Sequence, residues 1–232
     1  MIEKPNTKID FNNTEIAFEP KSNAALKKAA WLYTAMNNPT FVKVGSTLGL
    51  LSIKMGLPVK WLIKRTIFEQ FCGGTNLLNS QPTIDELSEF RVQSILDYGA
   101  EGRKTEAAFN ETMREILESI KFAGRNSHVP FVVAKLSGLG RFDLLEKVQT
   151  GKSLSATEKS EYDNLIKRLD SICFAAKEQN TGIFIDAEES WIQDTIDHLV
   201  NMMMERYNKE TATVYNTFQF YRHDRLAYLK AS

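Results

Sequence analysis

Four polar side chains each follow an apolar run at the point where a strand should end. Asp97 follows Ser-Ile-Leu, Lys135 follows Val-Val-Ala, Asp186 follows Ile-Phe-Ile and Gln219 follows Asn-Thr-Phe. In a parallel β/α fold the carboxyl ends of all strands lie on one side of the sheet, and in a barrel that side carries the active site. The pattern therefore predicts that these four residues, far apart in sequence, converge on one mouth.

Lys135 is the most informative of the four. An ammonium group at the end of an apolar run needs a water-filled mouth or an anionic partner, because burying an unpaired charge is costly. Each residue also has a purely structural interpretation. Asp97 and Asp186 could cap the following helices, Lys135 could extend its ammonium to solvent, and Gln219 could bond to loop backbone. Four such residues on one face favour a functional mouth.

Other candidate groups are weaker. His128, His198 and His223 lack the spacing of metal ligands and no cysteine pair joins them, so no metal site is expected. Glu188 and Glu189 form a candidate acid/base pair, but adjacent carboxylates on a strand-to-helix turn should point in different directions.

The elements that would position these residues alternate between strand and helix. Apolar runs predict five strands, at residues 67–71, 92–98, 129–136, 182–186 and 213–219. Amphipathic segments predict helices at residues 83–90, 101–123, 142–148, 157–179 and 190–207, with a last helix that starts near Asp224. This alternation predicts an α/β fold with parallel pairing. A doubly wound sheet and a barrel both fit, and the long helices with polar strand ends favour an incomplete (βα)8 TIM-type barrel of about five βα units.

An N-terminal helical arm precedes the barrel units. After a polar lead, Ser22 can cap a helix over residues 24–36, and Pro39 can start a second helix that breaks at Gly56. The predicted division is an arm over residues 1–65 and barrel units over residues 66–232.

The most apolar stretch of the arm, residues 41–63, is interrupted by lysines and a proline. We interpret it as helices that cover a core rather than as a membrane span. Contact of this stretch with the surface of a membrane is also compatible with the sequence.

The bulk composition is that of an ordinary globular protein without a dominant charge. Lys plus Arg and Asp plus Glu are equal at 29 each, so no global field favours a nucleic-acid partner. Cys72 and Cys173 lie in apolar runs outside any CxxC pair, which fits reduced thiols. The segment 1–19 is neither a secretory signal nor an Arg-rich transit peptide, so a cytoplasmic location is expected.

Five short motifs, in order and at compatible spacing over roughly residues 60–230, resemble the first five barrel strands of proline dehydrogenases of the bacterial and mitochondrial type. They are Phe71-Cys-Gly-Gly-Thr75, Leu96-Asp97-Tyr98, Val133-Ala-Lys135-Leu-Ser-Gly-Leu-Gly140, Phe184-Ile-Asp186-Ala-Glu188-Glu189-Ser-Trp191 and Tyr215-Asn-Thr-Phe-Gln219-Phe-Tyr221. Relative to the family pattern the resemblance stops inside the fifth helix. The last three strands and the arginine pair of the last helix lie outside it, so the sequence corresponds to the N-terminal part of the catalytic barrel.

The resemblance implies an FAD-dependent oxidation of L-proline to 1-pyrroline-5-carboxylate, with electrons passed to a quinone. It implies that Lys135 holds the proline carboxylate and that Asp186 orients the charged groups of the substrate pocket. It also implies that Gln219 hydrogen-bonds the flavin ring and that Asp97 supports the mouth. Because the quinone acceptor is in a membrane, the resemblance implies peripheral contact with the inner membrane.

Two alternatives remain open at this point. Lys135 could form a Schiff base in an aldolase-like barrel, since such lysines also lie at strand ends. The chain could instead be a folded but catalytically inactive barrel fragment that self-associates through open sheet edges.

Overall fold

The computed structural model describes residues 10–99 and 102–232. The chain divides after Val92 into two compact units, the first helical and the second a parallel α/β unit. The predicted boundary after residue 65 lies within the helical unit. Residues 1–9, which belong to the predicted polar lead, lie outside the described part of the chain.

The first unit consists of helices joined by short breaks. Its elements are α1 (Thr14–Ala17), α2 (Asn23–Met36), α3 (Pro39–Lys54), α4 (Lys60–Ile63), a π-helical turn (Lys64–Phe68), α5 (Glu69–Phe71) and α6 (Leu77–Glu89). Ser22 caps α2 by accepting a hydrogen bond from the Ala25 amide at 3.2 Å, and Pro39 stands at the first turn of α3. Both predicted helix starts are confirmed.

The strand predicted at residues 67–71 is wrong. This segment continues the helix that begins at Lys60, first as the π-helical turn and then as α5. The Thr66 hydroxyl donates to the Leu62 carbonyl at 2.7 Å, and the Cys72 amide donates to the Phe68 carbonyl at 2.8 Å. The backbone of this apolar run therefore satisfies its hydrogen bonds locally and needs no neighbouring strand.

The apolar stretch 41–63 is helical as predicted, but the core that it was expected to cover is not there. None of the residues of α3 is buried, and Leu48, Leu51 and Trp61 are all more than half exposed. None of the helices in the described residues is long and apolar enough to cross a bilayer.

The second unit is a four-stranded parallel sheet with its helices. Its elements are β1 (Ile95–Asp97), α7 (Glu106–Ala123), β2 (Phe131–Ala134), a 3₁₀ turn (Leu136–Gly138), α8 (Phe142–Gln149), α9 (Ala156–Glu178), β3 (Gly182–Ile185), α10 (Gln193–Tyr207), β4 (Val214–Asn216) and α11 (Arg225–Ala231). The strands pair in the order β1-β2-β3-β4. Four of the five predicted strands are thus confirmed, each shorter than predicted, and the α/β class with parallel pairing is confirmed.

The two faces of the sheet differ in burial. Val132 and Ala134 of β2 and Ile183 and Ile185 of β3 are at most 1% exposed, and they pack against the covering helices. The opposite face carries half-buried aromatic rings instead. Helices cover one face of the sheet, which is the arrangement of the outer face of a barrel wall.

The aromatic rings of the inner face form one cluster. The rings of Phe131 and Phe184 stack with centroids 4.5 Å apart, and Tyr215 meets both edge-on at 5.4 Å. Gly182 makes this possible because a Cβ atom there would collide with the Phe131 ring.

Helix α9 begins with a capping box. The Ser155 hydroxyl accepts from the Glu158 amide at 3.2 Å, and the Glu158 carboxylate accepts from the Ser155 amide at 2.7 Å. Lys147, with the bonds from Ser155, lowers the pKa of Glu158 to about 2. The charged form that completes the cap is therefore present at neutral pH.

The two cysteines should differ sharply in reactivity. Cys72 is exposed, whereas Cys173 is buried in α9, where burial and then Asp170 raise its thiol pKa to about 12. We expect a thiol reagent at pH 8 to label one equivalent quickly and the second only in denaturant, because the thiolate is the reactive form. Cys72→Ser should remove the fast equivalent; rapid labelling of two thiols in the native protein would contradict the buried position of Cys173.

Candidate active site

Lys135 lies between two aspartates at the carboxyl ends of neighbouring strands. Its Nζ is 2.9 Å from Asp97 Oδ2 at the end of β1 and 2.8 Å from Asp186 Oδ2 just after β3. The lysine side chain is 15% exposed, whereas the aspartates are 45% and 35% exposed. Because β2 lies between β1 and β3, the parallel register brings the three residues together, as the sequence predicted.

The two carboxylates fix the charge state of Lys135. Burial is the largest single effect and lowers the pKa of the ammonium, but the hydrogen bonds and charges of Asp186 and Asp97 outweigh it. The pKa of Lys135 therefore lies well above its ordinary value. Lys135 is therefore a cation at neutral pH, in contact with two carboxylates.

Gln219 is held by the loop that follows β3. Its Nε2 donates to the Ala187 carbonyl at 3.1 Å, and its Oε1 accepts from the Tyr221 hydroxyl at 3.1 Å. The Thr217 hydroxyl accepts from the Ala187 amide at 2.7 Å and donates to Asp186 Oδ1 at 3.3 Å. The loops after β3 and β4 are thereby joined.

An open cavity of about 490 Å³ lies at this end of the sheet. Lys135 and Gln219 line it, and Asp97 and Asp186 bind the lysine that does so. Its other lining residues are Gly102, Ser137, Phe142, Ala187, Glu188, Glu189 and Tyr221. The four residues predicted from sequence therefore belong to one mouth.

Glu188 is a further residue of this mouth. Its Oε1 accepts the Ser137 amide at 3.0 Å, which ties the turn after Lys135 to the loop after β3. Burial raises the pKa of the Glu188 carboxyl above its ordinary value, and the bonds from Ser137 and Leu136 offset part of that effect. Glu189 also lines the cavity but is more exposed than Glu188.

A buried ion pair below the mouth was not predicted. Arg225 binds Asp197 with both nitrogens of its fork, at 2.8 Å and 3.0 Å, and the two side chains are only 2% and 5% exposed. The side-chain amides of Asn216 and Gln193 donate to Asp197 Oδ1, at 2.9 Å and 3.0 Å, and Nη2 of Arg225 donates to the same oxygen. The network connects α10 and α11 to the end of β4, three residues before Gln219.

Within residues 10–99 and 102–232, no three His, Cys, Asp or Glu side chains are grouped so that they could hold a metal ion.

The sequence model described as "Proline dehydrogenase" matches residues 80–232. The chain belongs to the proline dehydrogenase family. The match includes all four strands and every residue of the mouth, so the resemblance to this family is confirmed. Four of the five motifs lie within it, whereas the first, at residues 71–75, lies outside the match and is not a strand.

The chain is only distantly similar in sequence to named relatives of the proline dehydrogenase family. "Carbapenem antibiotics biosynthesis protein CarD" of Pectobacterium carotovorum subsp. carotovorum is 30% identical over 68% of the chain and 42% of its own length. "Proline dehydrogenase 1, mitochondrial" of Dictyostelium discoideum is 25% identical over 93% of the chain and 44% of its own length. The chain thus spans less than half the length of these relatives.

The fold is also that of a solved family structure. Proline utilization A from Bdellovibrio bacteriovorus, in a form inactivated by N-propargylglycine, superposes with a TM-score of 0.60 at 13% identity. The match covers 73% of the chain and 19% of that protein. The predicted assignment of the sheet to a barrel-type fold is confirmed, with four strands of the barrel wall in place of the five predicted.

Proposed function

We propose that this chain carries part of the catalytic site of an FAD-dependent proline dehydrogenase. In the reaction, L-proline loses a hydride from the ring carbon that is bonded to nitrogen and does not carry the carboxylate. The nitrogen loses a proton, and the product is 1-pyrroline-5-carboxylate. The observation that carries the proposal is Lys135, held by Asp97 and Asp186 and lining the open cavity. A fixed cation at the edge of a cavity is a site for a substrate carboxylate.

Each residue of the mouth has a distinct proposed role. Lys135 binds the proline carboxylate by charge. Asp186 holds that ammonium in place from the end of β3, while Asp97 supports it from β1. Because both aspartates already bind the lysine, its position does not have to be established when the substrate enters.

The residues present fit a flavin beside this site. Each polar atom of the Gln219 amide makes one hydrogen bond within the protein, so one amide hydrogen and one lone pair remain for the edge of a heterocycle. When bound, the flavin supplies the acceptor for the hydride. Gln219 would orient its ring, and Lys135 would set the distance of the substrate carbon from it.

The proposed electron acceptor is a quinone, reached by peripheral contact of a cytoplasmic protein with the inner membrane. Several relatives carry mitochondrial names, among them two from Arabidopsis thaliana.

The Schiff-base alternative is disfavoured by the surroundings of Lys135. A lysine that attacks a carbonyl must lose its proton, so such lysines have a lowered pKa. The two carboxylates within 3 Å of Lys135 Nζ raise the pKa of the ammonium instead.

The proposal is tested by loading the purified chain with excess FAD, desalting it and recording the visible spectrum before and after L-proline. A retained flavin band that bleaches with proline supports the whole proposal. A retained band that does not bleach would confine the function of this chain to flavin binding, and loss of the band would support the inactive-fragment alternative.

Gln219→Ala is expected to weaken FAD binding by about 30-fold, because two hydrogen bonds of the amide are lost at about 1 kcal/mol each. Quenching of flavin fluorescence on titration measures the affinity. Gln70→Ala, at an exposed position of the helical unit, is the control and should bind FAD like the parent. Equal affinity of Gln219→Ala and the control would contradict the role of Gln219.

A further inference from the structure

The 3₁₀ turn that follows Lys135 depends on a partner from another part of the chain. The first hydrogen bond within the turn is donated by the Gly138 amide to the Lys135 carbonyl, at 3.1 Å. The Ser137 amide comes before that bond, so it has no carbonyl to bind within the turn. Because Ser137 is only 4% exposed, water does not replace the missing partner. A buried amide of this kind needs an acceptor from elsewhere in the protein.

Glu188 supplies this acceptor, and it is itself firmly held. Its Oε1 accepts from the Ser137 amide at 3.0 Å, although the two residues are 51 positions apart in the chain. The Glu188 amide donates to Gln193 Oε1 at 2.8 Å, and Gln193 Nε2 donates to Asp197 Oδ1 at 3.0 Å. Gln193 and Asp197 are both buried. The bond that holds the turn is therefore anchored to the buried ion pair below the mouth.

Glu188 acts on the turn rather than on the lysine ammonium. The carboxylates that bind the Lys135 ammonium are those of Asp97 and Asp186, at 2.9 Å and 2.8 Å. Within the described part of the chain, Glu188 makes no ion pair with that ammonium. The Lys135 side chain leaves the backbone just before the turn, so its direction depends on where the turn lies. Two such short contacts, to residues of two different strands, tolerate little displacement of this backbone.

We propose that Glu188 is a positioning residue: by binding the Ser137 amide, it fixes the turn after Lys135 and thereby the place of the Lys135 ammonium. This inference rests on the proposed role of Lys135 in binding the substrate carboxylate. The role requires an oxygen that accepts a hydrogen bond at this place, and it requires neither a negative charge nor the transfer of a proton. That requirement separates Glu188 from a catalytic acid or base.

Two substitutions of Glu188 test the proposal in the flavin-loaded protein. Glu188→Ala leaves the Ser137 amide without an acceptor and should raise the KM for L-proline by about 10- to 30-fold, with kcat within about threefold. Glu188→Gln keeps an oxygen that can accept from the same amide, so it should recover most of this loss, with a KM within about fivefold of the parent. Steady-state turnover with an artificial electron acceptor gives both constants.

Asn208→Ala is the matched control for the loss of backbone hydrogen bonds. Asn208 Oδ1 accepts from the amides of Thr213 and Val214, both at 2.9 Å, at the amino end of β4. In a parallel sheet this end lies opposite the mouth. The variant should lower the urea concentration at which the protein unfolds, but its KM should stay close to that of the parent.

Acetylation of Lys135 is a second measurement, which needs neither flavin nor proline. The reactive form of a lysine is the uncharged amine, and the two bound carboxylates suppress that form. In Glu188→Ala the displaced lysine should lose part of this protection, and acetic anhydride at pH 8 should modify it about tenfold faster. Glu188→Gln should return the rate towards that of the parent, and Asn208→Ala should not change it. Mass spectrometry of proteolytic peptides measures the rate.

Several results would overturn the proposal. They are a parental KM in Glu188→Ala, an equal rise of KM in Glu188→Ala and Asn208→Ala, and an unchanged rate of Lys135 acetylation in Glu188→Ala. Equal losses in Glu188→Gln and Glu188→Ala would also overturn it, because the charge of Glu188 would then act on the substrate. If the parent itself does not oxidise proline, the proposed function fails, and the acetylation rates still decide whether Glu188 fixes Lys135.

Discussion

Lys135→Met should raise the KM for L-proline by about 100- to 1000-fold in the flavin-loaded protein, with a smaller change in kcat. The substitution keeps most of the length of the side chain but removes the charge that is proposed to bind the substrate carboxylate. A contact that is the same in the ground state and the transition state affects KM first. In addition, the carboxylates of Asp97 and Asp186, which both bind the Lys135 ammonium in the parent, would repel each other in the variant because no cation lies between them.

Lys147→Met is the matched control for this experiment. Lys147 also binds a carboxylate at 2.8 Å, that of Glu158, but it lies on α8 and does not line the cavity. Its KM should stay close to that of the parent. Steady-state turnover with an artificial electron acceptor gives both constants, and an unchanged KM in Lys135→Met would remove the lysine from substrate binding.

The pH dependence follows from the raised pKa of Lys135. A raised lysine pKa means that the charged form is fully present below the ordinary lysine value and is lost only as the pH rises through the higher folded-state value. We therefore expect proline affinity not to fall through loss of this charge between about pH 7 and pH 10. Isothermal titration across that range measures it.

Arg225→Met should lower the free energy of unfolding of the second unit by about 3–5 kcal/mol, because it leaves the Asp197 carboxylate buried without its cation. Urea denaturation followed by circular dichroism measures the change. Arg206→Met is the control, since Arg206 pairs with Asp170 at the surface with 61% exposure and should cost at most about 1 kcal/mol.

A double variant distinguishes charge from packing in this pair. Replacing both partners, with Asp197→Leu and Arg225→Met, removes the unpaired charge and should recover most of the lost stability. If the double variant were as unstable as Arg225→Met, the stacking of the guanidinium over the rings of Phe218 and Tyr228 would be the main contribution.

The residues of the mouth could be predicted because strand ends are visible in a sequence. A lysine or aspartate that breaks an apolar run stands out, and parallel pairing places all such ends on one side. The same rule could not show that Glu188 rather than Glu189 binds the Ser137 amide, because that amide is 51 residues away along the chain.

Arg225 and the segment 67–71 escaped prediction for different physical reasons. Arg225 stands at the start of a short helix, where an arginine is normally solvated, and its burial depends on Asp197 being within reach. The segment 67–71 has the composition of a strand, but the helix that precedes it continues through it. Local composition does not record either of these competing contacts.

The order of the strands in the sheet is the order of the strands in the chain. During synthesis, each strand can therefore pair with the edge left by its predecessor as soon as the intervening helices have formed, without waiting for any later segment. The sheet grows in one direction, and no finished pair has to open to admit a strand between its members. The site should accordingly assemble in sequence, with Asp97 in place first, Lys135 next and Asp186 last, so that the cation is never buried before a carboxylate is there to receive it.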